Sequence, residues 1–209
     1  MNGGEPGEAE AVFQRAVVSE DEAYLRAEER LRGAGAEAAP TLREHLDDPD
    51  PMRRLTARVV LESIETAGSD FEQAGRYLAA LARKFTNTVA RTPPVHGVAE
   101  TLTARFGGRL AEFLALRLVK ESEPDDWRVR LTLQYLDRHK TPAANEALIR
   151  FAARTSQPVY QQAVAQVLAG SGDPALGQKL AAERQRLAVQ GAALPASLAA
   201  LATPGAAVA

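Results

Sequence analysis

The chain contains no cysteine, which excludes a disulfide framework, a thiolate zinc site and a cysteine nucleophile. Aromatic residues are scarce at 5%, with a single tryptophan, so any core must be built from Leu, Val and Ala. Charge of either sign is hardly in excess: 25 Lys and Arg stand against 27 Asp and Glu, for a net −2. That balance argues against a general nucleic-acid binder, whose basic surface must displace counterions. No apolar run reaches the roughly 20 residues that cross a bilayer. The opening Met1-Asn2-Gly3-Gly4-Glu5-Pro6 has neither a basic nor an apolar leader region, so no secretory signal is expected. A cytoplasmic protein without a membrane partner is the expectation.

Catalytic signatures are missing as well. There is no Gly-x-Ser-x-Gly elbow, phosphate loop or dinucleotide fingerprint. His45, His96 and His139 lie about one helix pair apart, outside metal-ligand spacing. The acidic turns Asp47-Asp48-Pro49-Asp50 and Glu121-Ser122-Glu123-Pro124-Asp125-Asp126 lack the calcium-loop order, with its central glycine and closing glutamate. Their acids suit the positive ends of the helices that follow. No catalytic residue, metal ligand or cofactor is therefore assigned.

With 45% hydrophobic and 25% charged residues, the chain has the make-up of a packed domain. Helical spacing of apolar residues and stop signals predict helices over 8–18, 20–32, 36–46, 52–64, 70–85, 95–106, 109–120, 127–138, 142–154, 158–169 and 174–189. Ser19 with Glu22 reads as a capping box for the second of these, and Gly33 and Gly35 as its stop. Asp173 reads as a cap near the last, and Thr141 as a cap before Pro142. In the 70–85 helix the core stripe is Phe71, Ala74, Leu78, Leu81 and Phe85; a polar link over 86–92 follows. Residues 1–10 read as a flexible lead-in, 11–189 as the helical domain and 190–209 as an uncharged Ala/Pro-rich tail. The tail is expected to be mobile, with 196–201 the stretch able to pack as a short helix. It also offers a surface for self-association.

The helices recur in pairs hinged on proline. Ala38-Ala39-Pro40-Thr41-Leu42, then Leu46-Asp47-Asp48-Pro49-Asp50-Pro51, then Arg53-Arg54-Leu55-Thr56-Ala57 resemble the HEAT-repeat family: a proline-bearing first helix, an Asp-Pro turn and an arginine-led second helix. The resemblance covers about residues 36–67. Later turns, at Pro124 and Pro158, keep only the proline. Arg54-Leu55-Thr56 recurs as Arg130-Leu131-Thr132, two periods of about 38 residues away, within reach of the HEAT range. The resemblance implies an all-α fold, a right-handed α-solenoid of about four to five antiparallel helix pairs whose second helices line a concave face.

On those second helices the polar sectors contain Arg54 and Arg58, His96 and Glu100, Arg130 and Gln134, and Gln162 and Gln166. Stacked, they form a ladder that is basic at one end and amide-rich at the other. Arginine forks suit carboxylates, and glutamines suit the backbone of an extended peptide. The expected function is therefore a non-enzymatic scaffold or adaptor that binds a partner protein through an acidic segment. The competing reading pairs these arginines with neighbouring acids, for instance Arg58 with Glu62 at i,i+4. Trp127 is either an interface anchor or, as the blander reading, a packing residue. Other members of the same architecture set the alternatives. Alkylpurine DNA glycosylases use a basic, aromatic concave face that is lacking here, and bilin lyases share the repeat without a selecting motif. HEAT-type di-iron hydroxylases carry repeated His-Glu pairs, whereas this chain has Glu44-His45 once and reversed.

Overall fold

The computed structural model describes residues 7–66, 69–86 and 93–202, with backbone alone for residues 85 and 86. The described chain is all-helical: α1 (Glu8–Val18), α2 (Asp21–Ala34), α3 (Ala39–Glu44), α4 (Pro51–Glu65), α5 (Asp70–Thr86), α6 (Val95–Phe106), α7 (Ala111–Lys120), α8 (Asp126–Arg138), α9 (Asn145–Arg154), α10 (Pro158–Ala169), α11 (Leu176–Val189) and α12 (Ala196–Leu201). Short 3-10 turns precede α3 and α9. The polar link over 87–92, the Phe85 side chain, the first six residues of the lead-in and the tail beyond 202 lie outside the described residues.

Local signals account for most boundaries. Asp50 caps α4 by accepting from the Met52 and Arg53 amides at 2.7 and 3.3 Å, and Pro51 occupies the first turn, where its missing N–H is harmless. Gly35 ends α2 at φ +52° and Gly107 ends α6 at φ +60°, backbone that a side chain rarely tolerates. The capping box at Ser19 does not form. Ser19 instead closes α1, and Glu20 precedes α2 without a side-chain cap. Thr141 also fails to cap; its hydroxyl donates to the His139 carbonyl at 2.7 Å. Asp173 does accept from the Ala175 amide at 2.9 Å.

The packing order is informative. α3 with α4, α7 with α8 and α9 with α10 pack as neighbouring pairs. Beyond these pairs, α7 adjoins α9 and α9 adjoins α11, while α6, α8, α10 and α12 each adjoin the next. One apolar cluster runs through the helices and includes Tyr24, Leu55, Phe113, Trp127, Tyr135, Phe151 and Leu198. Trp127 is therefore a core residue, 7% exposed with the Arg128 guanidinium over its ring, and does not serve as a surface anchor.

α1 spans the helix predicted over 8–18, so residues 8–10, also assigned to the lead-in, are helical. The stretch from 196 forms α12, which packs on α10 and α11 and buries Leu198 completely. The tail as far as Ala202 is thus held by apolar contact and is not loose.

Candidate functional site

α6, α8 and α10 carry polar side chains that form two hydrogen-bonded groups between neighbouring helices. His96 and Glu100 on α6 are 68% and 55% exposed and pair Nε2 to Oε1 at 3.2 Å. The Gln134 amide of α8 donates to His96 Nδ1 at 2.7 Å, which leaves Nε2 to carry the ring proton toward Glu100. One turn earlier on α8, Arg130 pairs with Asp126 at 2.8 Å. The Tyr160 hydroxyl of α10 donates to the same Asp126 at 2.9 Å. Its carboxylate partner pushes the Tyr160 hydroxyl up, although burial is the larger cause. Gln162 and Gln166 stand exposed further along α10. Six of the expected ladder residues therefore lie on α6, α8 and α10, with α8 packed against both of the others.

The other two lie elsewhere. α4 packs on α7 and α9, and its arginines are used there. Arg54 Nη2 reaches both carboxylate oxygens of Glu146 at 3.1 Å, and its Nη1 donates to the carbonyls of Asp48 and Pro49. Arg58 Nε meets Glu112 at 2.9 Å. Burial raises the Glu112 carboxyl above its usual range; Arg58 opposes this and the nearby Glu62 charge adds to it. Arg58 and Glu112 also edge a cavity of about 590 Å³ between α4 and α7. The local partner expected for Arg58, Glu62, gives way to a carboxylate on a distant helix.

Sequence reasoning missed a third constellation. His45 Nε2 lies 2.8 Å from Glu10 and its Nδ1 lies 3.1 Å from Asp48. Its ring stacks on Phe13 at 4.3 Å. Arg53 binds Asp48 at 2.7 Å and reaches Glu10 at 3.7 Å. Burial pushes the Glu10 carboxyl up, but hydrogen bonds from His45 and Gln14 and the Arg53 charge outweigh it and hold it low. Asp48 is held low in the same way: the Asp50 amide, His45 and Arg53 overcome its burial. Only the His45–Asp48 spacing was visible locally, since Glu10 comes from another helix. The cluster lies outside the cavity between α4 and α7 and ties α1 to the start of α4. Among the described residues no group of three or more His, Asp or Glu side chains is placed to hold a metal ion. No described helix is long and apolar enough to cross a membrane.

Neither a family model, nor a curated protein, nor a solved structure matches this chain.

Proposed function

We propose that this chain is a HEAT-like helical array that acts as a non-enzymatic scaffold, docking a segment of a partner protein on the polar row of α6, α8 and α10. The observation that carries the reading is a pair of hydrogen-bonded polar groups that bridge these helices. Glu100, His96 and Gln134 form one hydrogen-bonded chain, and Arg130, Asp126 and Tyr160 form the next. Gln162 and Gln166 add exposed amides on another side of α10. Part of the helix order supports a solenoid, since α6, α8, α10 and α12 follow one another as stacked repeats do, although α4 packs on α7 and α9 instead of joining that row.

Arg130 is the charged anchor of this surface. Arg54 and Arg58 belong to packing between helices and leave the proposed interface. Their pairing with Glu146 and Glu112 speaks against a basic stripe for nucleic acid. The decisive experiment replaces Glu100, Arg130, Gln134, Gln162 and Gln166 together with alanine. Loss of a defined partner at unchanged thermal stability is expected, and full retention defeats the reading. Titration with duplex DNA should show no steep salt dependence; a steep slope would favour a nucleic-acid role.

A further inference from the structure

α5 is the least embedded of the long helices. Its principal packing neighbour among the described helices is α4. Its N-terminal end is pinned by the Phe71–Phe113 ring stack at 5.1 Å and by Asp70 to Arg109 at 2.8 Å. Beyond that end, Leu78 and Leu81 stay only partly buried. Between α5 and helices α2, α7 and α8 lies a cleft of about 440 Å³, within the range of pockets for small organic ligands. Phe71, Leu78, Phe113, Leu118 and Leu131 make it apolar. Gly75 keeps it open from above, since a Cβ there would meet only the edge of the Phe113 ring at 3.8 Å.

The wall of this apolar space carries four guanidiniums against three carboxylates. Arg117 holds the buried Glu28 at 2.7 Å, Arg128 holds Glu121, and Arg76 holds Glu72 at 3.1 Å. Arg32, half-buried on α2, has no ion-pair partner among the described residues, and its Nε is buried without a hydrogen-bond acceptor. A guanidinium N–H withdrawn from water without an acceptor is costly. A planar carboxylate would satisfy its fork with two hydrogen bonds. We infer that the cleft binds a small amphiphile bearing one carboxylate, its apolar chain on the Phe113–Leu131 floor and its head group on Arg32. The single uncompensated positive charge sets the preference for a monoanion, and the floor sets the preference for an alkyl or aryl body. This site is separate from the α6–α8–α10 row.

The test titrates the full chain with dodecanoate below its micelle concentration, followed by calorimetry and by methyl NMR. Saturable one-to-one binding is expected, with shifts centred on Leu114, Leu118 and Leu131. Dodecan-1-ol, which has the same chain without the charge, should bind about tenfold more weakly or worse. Arg32→Gln should weaken dodecanoate by about the same factor and leave dodecanol unchanged, and Arg32→Lys, which keeps the charge but not the two-pronged geometry, should restore only part of the loss. Gly75→Leu, which fills the cleft from α5, should block both. Equal binding of the alcohol and the acid, shifts located elsewhere, absence of saturation, or preference for an acidic peptide over dodecanoate would each overturn the assignment. The acid-against-alcohol comparison uses the unmodified chain, so it decides the matter even where a variant fails to fold.

Discussion

Arg54 and Glu146 meet across 92 positions of the chain, one guanidinium nitrogen lying 3.1 Å from each carboxylate oxygen. Both side chains are mostly buried, at 26% and 19% exposure, so water screens the pair poorly. Removing either partner leaves the other charge half-desolvated between α4 and α9. Arg54→Ala should therefore cost about 1–3 kcal/mol in urea unfolding. Arg130→Ala, whose pair with Asp126 is 68% and 47% exposed, should stay within about 0.5 kcal/mol. A double-mutant cycle on Arg54 and Glu146 should return a clear coupling energy. A null coupling would mean that α4 is held on α9 by apolar contact alone.

Lys120 fastens the C-terminal end of α7 to that of α1. Its ammonium donates to the carbonyls of Ala16, Val17 and Ser19 at 2.8, 2.5 and 3.2 Å. Lys120→Met should destabilise the fold by about 1–3 kcal/mol, because those carbonyls lose their donor. Burial pulls the ammonium down to about 8 from 10.5; Glu20 opposes this and Arg150 and Arg154 reinforce it. The folded chain thus releases this proton before the unfolded chain does. Stability from this group rises with pH between about 8 and 10.5, and that rise should vanish in Lys120→Met. An equal pH response in both proteins would contradict the assignment.

The Glu10–His45–Asp48–Arg53 cluster predicts acid sensitivity. Both carboxyls sit below their ordinary values of 4.5 and 3.8. Their contribution is complete above the unfolded values and is lost as pH falls through the lower folded ones. Melting temperature should drop below about pH 4, and Glu10→Gln combined with Asp48→Asn should flatten that drop. An unchanged acid slope in the double variant would remove the cluster from the stability of α1.

Leu198 closes the helical stack at α12 with no exposed surface. Leu198→Ala should cost about 2 kcal/mol or more. Deletion from Gln190 onward should uncover apolar surface on α10 and increase association by light scattering. Unchanged stability in Leu198→Ala would return this segment to the status of a loose tail.

Much of the secondary structure was legible because its causes are local. Val95–Phe106 follows Pro94 and Pro158–Ala169 opens on its own proline, each is followed by glycine, and apolar spacing fills the interval. What was not legible is partner choice over distance. Arg58 has an acid four residues on, yet it binds Glu112, because α4 packs on α7 and the facing carboxylate is the more buried one. Lys120 reads as the polar end of a helix, and only tertiary contact reveals it as a buried cap. Arg32 is one charge among many in a charged helix, and its lack of a counter-ion is visible only once α5 and α7 are placed around it. The ladder divided for the same reason. His96, Glu100, Arg130, Gln134, Gln162 and Gln166 share neighbouring helices, whereas Arg54 and Arg58 stand on a helix that packs elsewhere.

The most direct measurement of the binding role places a photo-crosslinking amino acid at Gln134 or Gln162 in the full chain within its native cells. Control placements go at Val18 and Val189, which are 79% and 86% exposed. A discrete protein adduct at Gln134 and Gln162, absent from the controls and abolished by alanine at Glu100 and Arg130, is expected. Identical adducts at all four positions, or none at Gln134 and Gln162, would contradict a docking surface on α6, α8 and α10.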